Sequence, residues 1–410
     1  MFSEKLKQYA ELLIRMGLNV QPHQPVLISC PVDCARFGRL CEQAAYDAGA
    51  SFVEMSWGDD FSTRARFLYA DADTLEKAMP WTGVLQNAMA ERGAAFLSIS
   101  ASDPGLLTGV DADRIRAWSK ARGQALLPYR RAARENHVQW CVASVPVASW
   151  AKKVFPGLEE DKAMDALWEL IFKTVHISDG GDAVNAWKEH IATLSRRRGM
   201  LDGYHFASLH YSSSNGTDLT ITLPRGHFWG AGQEANVDTG TVFVPNMPTE
   251  EIFTAPKRDG VNGTVVSTKP LVLDGTVVDH FSMRLEQGKI VDVKAESGLE
   301  TLLHAISVDE GASYLGEVAL VPYDSPISNS GVLFYNTLFD ENAACHLAFG
   351  AAYPMVEGAG TMSDSERLQA GLNDSMTHVD FMIGARDLSI TGITPDGKEI
   401  PVFRDGNFAF

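Results

Sequence analysis

A histidine and an aspartate stand two residues apart in the segment 377–383, which reads THVDFMI. Successive side chains of a β-strand point to opposite faces, so His378 and Asp380 would share one face while Val379 and Phe381 pack on the other. Imidazole nitrogens and carboxylate oxygens are both ligands of divalent metal ions. The segment therefore predicts a strand that presents two potential metal ligands together, with a surface ion pair as the alternative interpretation.

A single carboxylate interrupts the apolar segment 313–321, SYLGEVALV. The composition of this segment predicts that it is buried. A buried carboxylate without a partner is energetically costly, so we expect Glu317 to have a raised pKa, to pair with a cation or to bind a metal ion.

A third segment with potential ligands covers residues 339–354, FDENAACHLAFGAAYP, and is predicted to be helical. His346 and Tyr353 would then lie on one helix face, about 10 Å apart along the axis. Glu341 would lie about 140° from His346, so it could join the same site only from a frayed first turn. Cys345 would point about 100° away from its neighbour and is expected to pack rather than to bind metal.

Several common catalytic motifs are absent. The sequence contains no G-x-S-x-G, no G-x-x-x-x-G-K-[ST], no H-E-x-x-H and no G-x-G-x-x-G; Gly230 and Gly232 come nearest to the last, and Ala235 breaks the pattern. The first half of the chain therefore lacks the glycine-rich loop that would hold a nucleotide phosphate.

The composition limits the partners and the location. The chain has 410 residues, is 45% hydrophobic and carries a formal net charge of −17, a charge that repels phosphate backbones and anionic lipids. We therefore expect no nucleic acid and no membrane partner.

The five cysteines include no C-x-x-C pair, which predicts buried free thiols rather than disulfides. Glu4 and Glu11 interrupt the region where a signal peptide would be apolar, so a cytoplasmic protein is expected.

The first half of the chain alternates between strand and helix patterns. An amphipathic helix ending at Gly17 opens it. Strands are predicted at 25–29, 51–56, 94–99 and 138–143, and helices at 35–48, 161–176 and 182–198. This order predicts an α/β N-terminal domain with a parallel sheet, residues 1–199. Three arginines at 196–198 would complement the carbonyl end of its last helix, before Gly199.

The second half of the chain consists of short strand patterns separated by turn dipeptides. Asn-Gly or Asp-Gly occurs at 215, 259, 262, 274 and 396, and these dipeptides favour tight β-hairpins. We therefore predict a β-rich α+β C-terminal domain at residues 200–410, which would contain the metal site.

The motifs together resemble a known family, the M29 metallo-aminopeptidases, in their order and spacing. The matching segments are NMPTEEIFTAP (246–256), LGE (315–317), NTLFDENA (336–343) followed by His346, and HVDFMIG (378–384). SDP (102–104) and WAKKVFP (150–156) extend the resemblance to the first half.

This resemblance implies a hydrolase that activates water with two metal ions. The metal ligands that it implies are Glu251, Glu317, His346, His378 and Asp380, with Glu341 as a further ligand or a neighbouring catalytic carboxylate and Tyr353 as a catalytic residue that contacts the substrate. Glu317 would bridge the ions, with His346 on one side and His378 and Asp380 on the other. Many members have glycine before the first ligand, where this chain has Glu250; the alignment favours Glu251, although either could reach a metal.

The donor types agree with a pair of ions. Three or four carboxylates with two imidazoles exceed the three protein ligands of a typical mononuclear catalytic zinc site. Oxygen and nitrogen donors without thiolate are compatible with two Zn, Co, Mn or Mg ions per chain. The resemblance further implies a homodimer in which the N-terminal domain covers the site and restricts it to short peptides.

The functional hypothesis is therefore a metal-dependent aminopeptidase. The alternative is a non-haem iron(II) ring-cleaving dioxygenase that uses His346, His378 and one carboxylate. Glu251 and Glu317 argue against the alternative, because a single iron does not need them. A catalytically silent binding protein is a third hypothesis, which the full set of ligands disfavours.

Overall fold

The computed structural model describes residues 2–101, 103–273 and 276–410. Ser102 and the Asp274-Gly275 dipeptide, both used in the sequence analysis, lie outside the described residues. The chain forms two compact units: the first contains Met1–His190, Gln233–Pro248 and Leu333–Leu338, and the second contains Ile191–Gly232, Thr249–Val332 and Phe339–Phe410. Among the described residues, no helix combines the length and the apolar character that a membrane span requires.

The elements are numbered in chain order. The helices are α1 (Phe2–Leu12), α2 (Ala35–Asp47), α3 (Asp60–Tyr69), α4 (Ala72–Glu76), α5 (Val84–Glu91), α6 (Ala112–Ala125), α7 (Leu127–Arg134), α8 (Ala148–Val154), α9 (Glu160–Thr174), α10 (Ala183–Tyr204), α11 (Leu299–Ala305), α12 (Thr337–Asp340) and α13 (Asp364–Gln369). The strands are β1 (Pro25–Pro31), β2 (Phe52–Gly58), β3 (Ala95–Ser100), β4 (Trp140–Ser144), β5 (Ser208–Ser212), β6 (Asp218–Thr222), β7 (Gly230–Ala231), β8 (Glu234–Ala235), β9 (Val242–Phe243), β10 (Asn246–Met247), β11 (Ile252–Thr254), β12 (Val261–Val266), β13 (Leu271–Leu273), β14 (Thr276–Val278), β15 (Ser282–Glu286), β16 (Lys289–Lys294), β17 (Leu315–Leu320), β18 (His346–Gly350), β19 (His378–Met382), β20 (Ser389–Ile393), β21 (Glu399–Arg404) and β22 (Asn407–Phe408).

The first unit contains a five-stranded parallel sheet in the order β10-β4-β3-β1-β2. Consecutive residues of β1, Val26, Leu27 and Ile28, are all buried, as expected for a parallel strand with both faces covered. The predicted α/β class and parallel sheet are confirmed. All five cysteines of the chain are free and buried.

The predicted helix end at Gly199 is wrong. Helix α10 continues to Tyr204, and Leu201 beyond the glycine is fully buried, so packing outweighs the low helix propensity of glycine. The division between the two units falls between His190 and Ile191, so the predicted boundary at 199 lies inside the same helix.

The described residues of the second unit form two large antiparallel sheets and the two-stranded sheet β13-β14, which confirms its predicted β-rich class. One large sheet has the order β16-β15-β12-β6-β5-β20-β21-β22 and the other the order β19-β18-β17-β11-β7. The turn at Asn215 joins β5 to β6 and the turn at Asp396 joins β20 to β21, as predicted. Asp259 precedes β12 without forming a hairpin.

The predicted hairpin turn at Asn262 is wrong because Asn262-Gly263 lies inside β12. Gly263 has φ 124°, and a Cβ atom there would lie 2.2 Å from the carbonyl oxygen of Asp218 on β6. The glycine is therefore required by a close approach of two strands rather than by a turn.

The segment 339–354 is not the predicted helix. A short helix, α12, is followed by a 3₁₀ turn at Glu341–Ala343 and then by β18, in which all five residues are buried. Apolar runs of this length do not distinguish a buried helix from a central strand, and here β17 and β19 supply hydrogen-bonding partners on both sides. His346 and Tyr353 therefore share no helix face, and Tyr353 lies beyond the strand.

A β-bulge at Gly316 sets the orientation of Glu317. Leu315 pairs with Phe349 and Glu317 with Ala348, so Gly316 is the extra residue of β17. A Cβ atom on Gly316 would lie 2.3 Å from the Ala351 carbonyl oxygen and 2.5 Å from that of Gly350. Only glycine allows the end of β18 to approach so closely.

We expect Gly316→Ala to destabilise the second unit by about 1–3 kcal/mol, because the methyl group must displace main-chain atoms. Gly199→Ala is the matched control: Gly199 is exposed within α10, a Cβ there would meet no atom within 4 Å, and alanine should stabilise the helix by about 0.5–1 kcal/mol. Denaturant unfolding followed by circular dichroism measures both. Equal stability of the two variants would contradict the proposed role of the bulge.

Candidate metal centre

One face of the five-stranded sheet of the second unit presents the predicted ligands. Directly opposed residues of antiparallel strands share a face, and the register aligns Glu317 with Ala348 and Asp380 across β17, β18 and β19. His346 and His378 lie two residues from Ala348 and Asp380 respectively, and therefore on the same face. The period-two alternation predicted for 377–383 thus holds.

Glu251 approaches this face from the start of β11. Phe253 pairs with Ala319, which in turn pairs with His346, and Glu251 lies two residues before Phe253. Glu251 Oε2 lies 3.3 Å from His346 Nε2, which lies 3.9 Å from Glu317 Oε1. Glu251, Glu317 and His346 each place one potential ligand atom within 4.8 Å of the other two.

A second group of three forms beside the first. His378 Nε2 lies 3.1 Å from Glu317 Oε2 and 3.4 Å from Asp380 Oδ1. Glu317 therefore directs one carboxylate oxygen to each group, which is the arrangement that a bridging carboxylate requires.

The structure distinguishes the two adjacent glutamates. The backbone N–H of Glu250 donates a hydrogen bond to Asn342 Oδ1 at 2.8 Å, and its carboxylate belongs to neither of these two groups. The geometry thus brings Glu251, and not Glu250, to His346 and Glu317.

Glu341 and Tyr353 lie at the edges of the cluster. Burial and then the charges of Glu251 and Asp380 raise the pKa of Glu341 well above its usual value, so both ligand groups act electrostatically on its carboxyl group. Tyr353 is 46% exposed as a residue, and its ring centroid lies 5.2 Å from that of His378 and 5.8 Å from that of Phe253. The structure thus brings all the predicted site residues to one region.

The carboxylates of the cluster change the pKa of both histidines. Burial alone would lower the pKa of both imidazoles, but the surrounding carboxylates raise the pKa of His346 to about 10 and that of His378 to about 11. Burial raises the pKa of Glu317, as expected from its sequence context. Burial alone would also raise the pKa of Asp380, but the hydrogen bond from His378 and the charges of both imidazoles lower it overall. A divalent ion bound by either imidazole must displace a proton from Nε2, so metal uptake should release protons.

Both imidazoles are oriented by main-chain carbonyl groups. His346 Nδ1 donates to Ala344 O at 3.2 Å, and His378 Nδ1 donates to Ala351 O at 2.7 Å. Each hydrogen bond leaves Nε2 facing the carboxylates, which is the usual arrangement of metal-binding histidines. Three carboxylates and two correctly oriented imidazoles fit two divalent ions.

Small side chains leave space between the ligands. Ala319 separates Phe253 from His346, and Ala348 separates Glu317 from Asp380, on the same face of the sheet. Sequence reasoning missed these positions and Phe253. The alternation Glu251-x-Phe253 could have indicated Phe253, but no local signal identifies the two alanines.

The chain is similar to known proteins over its whole length. The family model for the thermophilic metalloproteases M29 matches residues 2–408. The chain is 47% identical to aminopeptidase AmpS of Bacillus subtilis over 100% of this chain and 99% of that protein, and 40% identical to aminopeptidase T of Thermus thermophilus over 99% of each. The solved structure of AmpT from Thermus thermophilus superposes with a TM-score of 0.93 and 38% identity, covering 100% of both chains.

The fold and the ligand cluster define a metal-dependent hydrolase. The chain belongs to the M29 family of metalloproteases. The family resemblance found in the sequence is thereby confirmed, as is the prediction of a peptide-cleaving enzyme, and the dioxygenase alternative is not favoured.

We expect Asp380→Asn and Phe381→Ala to separate ligand binding from packing. Asp380→Asn removes a charged ligand without changing size, so metal affinity should fall at least about tenfold while the metal-free fold keeps its melting temperature. Phe381, only 1% exposed and in contact with Phe281 and Phe349, faces the other side, and its truncation should cost about 3–5 kcal/mol. Metal titration and denaturant unfolding of both variants provide the test; the reverse pattern would show that the two faces are wrongly assigned.

Proposed function

We propose that this protein is a metal-dependent aminopeptidase that removes N-terminal residues from short peptides. Two divalent ions would be held by Glu251 and His346 on one side, by His378 and Asp380 on the other, and by Glu317 between them. The observation that supports a pair of ions is the division of the Glu317 oxygens between two groups, at 3.9 Å from His346 and 3.1 Å from His378.

The choice of an aminopeptidase rests on the relatives. Full-length relatives that are 40–47% identical to this chain are named aminopeptidases, including aminopeptidase 2 of Geobacillus stearothermophilus at 45% identity. The ligands present here fit the metal requirement of that family. Oxygen and nitrogen donors accommodate Zn, Co, Mn or Mg, and we propose two ions of this group per chain.

Two ions at this site would acidify a water molecule and polarise the carbonyl of the scissile peptide bond. The charges of both ligand groups act on the Glu341 carboxyl group, and we assign it the transfer of the proton from water to the leaving amine. Tyr353 would donate its hydroxyl proton in a hydrogen bond to the oxyanion. The ring contact of Tyr353 with His378 places it at the edge of the cluster, where a substrate could reach it.

Three further expectations remain predictions. A homodimer and restriction to short peptides by the N-terminal part of the chain are implied by the resemblance, and a cytoplasmic location is expected from the sequence.

The central experiment measures metal content and product together. Protein reconstituted with zinc, cobalt or manganese should bind about two ions per chain and release free amino acids from dipeptides. The same peptides with acetylated N-termini are the control and should remain intact, because an aminopeptidase requires a free N-terminus. Binding of one iron per chain, with oxygen consumption and no peptide cleavage, would refute the proposal.

Glu341→Gln tests the proton-transfer role. The amide keeps the shape of the side chain but cannot accept the proton, so kcat should fall by about 10²–10⁴-fold while two ions remain bound. Metal analysis by mass spectrometry and steady-state kinetics with a dipeptide measure both quantities. Loss of one ion in this variant would instead make Glu341 a metal ligand.

A further inference from the structure

The hydrogen bond that orients His378 depends on a main-chain turn at residues 350–352. Ala351 O accepts the His378 Nδ1 proton at 2.7 Å, and the Ala351 N–H donates to Thr377 O at 2.7 Å. His378 needs this support more than His346 does, because the side chain of His378 is 24% exposed whereas that of His346 is 2% exposed.

Asn373 holds this turn on both sides of Ala351. Its Nδ2 donates to Gly350 O at 2.6 Å, and its main-chain oxygen accepts the Ala352 N–H at 2.9 Å. A single residue thus fixes the peptide group that contains the Ala351 carbonyl and the peptide group before it. Asn373 is only 3% exposed, so water cannot replace these contacts at low cost.

The Asn373 amide is itself fully engaged. Nδ2 also donates to Gly311 O at 2.8 Å, and Oδ1 accepts a hydrogen bond from Arg258 Nε at 3.0 Å. Both amide hydrogens are used, and the oxygen faces a group that can only donate, so the amide has one orientation. Two further contacts fix the Arg258 guanidinium. Its Cζ lies 3.9 Å from the centroid of the Tyr314 ring, and its Nη2 lies 2.7 Å from Glu310 Oε1.

We propose that Asn373 is a positioning residue for the metal site: through the Ala351 carbonyl it holds the His378 imidazole in the orientation that binds the ion shared by Glu317, His378 and Asp380. The inference rests on the proposed two-metal function. His346 is oriented by Ala344 O, a contact that does not involve Asn373. Loss of the Asn373 hydrogen bonds should therefore weaken the binding of one ion and leave the binding of the other unchanged.

Asn373→Asp tests this because it preserves size but replaces both N–H donors with an acceptor facing two carbonyl oxygens. Affinity for the ion shared by Glu317, His378 and Asp380, the second ion, should fall about tenfold or more, since loss of a group that orients a ligand typically costs 10–100-fold in affinity. The first ion, between Glu251, Glu317 and His346, should bind as in the parent. The cobalt absorption spectrum of the singly loaded variant should match that of His378→Ala, which lacks the ligand itself.

Asn236→Asp is the matched control. Asn236 is 4% exposed, donates its Nδ2 to His137 O at 3.0 Å and accepts two main-chain N–H groups, but it lies in the first unit. The Asn236→Asp substitution should lower the melting temperature without changing the affinity for either ion. In the metal-free protein, hydrogen exchange at residues 350–353 should accelerate in Asn373→Asp and not in Asn236→Asp.

Arg258→Met provides a second variant if Asn373→Asp does not fold. It removes the partner of Asn373 Oδ1 but keeps both Nδ2 donors. It should therefore also lower the affinity for the second ion, by a smaller factor than Asn373→Asp. Parent-like affinity for both ions in Asn373→Asp, or equal weakening of both ions, would overturn the proposal. A parent protein that binds one ion would instead refute the proposed two-metal function.

Discussion

The buried carboxylate of Glu317 is the constraint on which the site depends. It lies 5% exposed in β17, a strand whose residues are all buried, and removing a charged group from water at such a position is costly. The ion pairs that the structure shows for Glu317 are with His346 and His378, one to each carboxylate oxygen. These imidazoles come from the neighbouring strand β18 and from β19 beyond it, on the same side of β17. In our proposal divalent ions take over this compensation, which makes the site selective for cations.

The sheet provides space for this cluster as well as ligands. Ala348 lies between Glu317 and Asp380 in the strand register, and a larger side chain would occupy the region towards which both carboxylates project. The bulge at Gly316 turns Leu315 away from this face while bringing the main chain of residues 350–351 close to β17. The open face beside Glu317, where our proposal places the ions, and the orientation of His378 therefore depend on the same local irregularity of the strand. Bulges are frequent next to active sites because they redirect a side chain without breaking the sheet.

Sequence patterns succeeded where one segment determines its own structure. The alternation in 377–383 predicted that His378 and Asp380 share a face, and the apolar context of Glu317 predicted its burial; the structure agrees with both. The helix predicted for the segment containing His346 was wrong because a short apolar run is compatible with helix and strand alike. The turn predicted at Asn262-Gly263 was wrong because the glycine is required where β6 approaches β12 closely.

By itself, the sequence determined the ligand types, the family and the alternation of strand and helix in the first half, because these follow from residue identity and local periodicity. Only the tertiary structure decided that β18 is a strand, that Glu251 rather than Glu250 faces the cluster, and that Glu317 is shared between two groups. These features depend on the register between segments far apart in the chain. A shift of one residue would move every ligand of a strand to the opposite face. Such a register is fixed by hydrogen bonds and packing across the whole sheet, and no single segment encodes it.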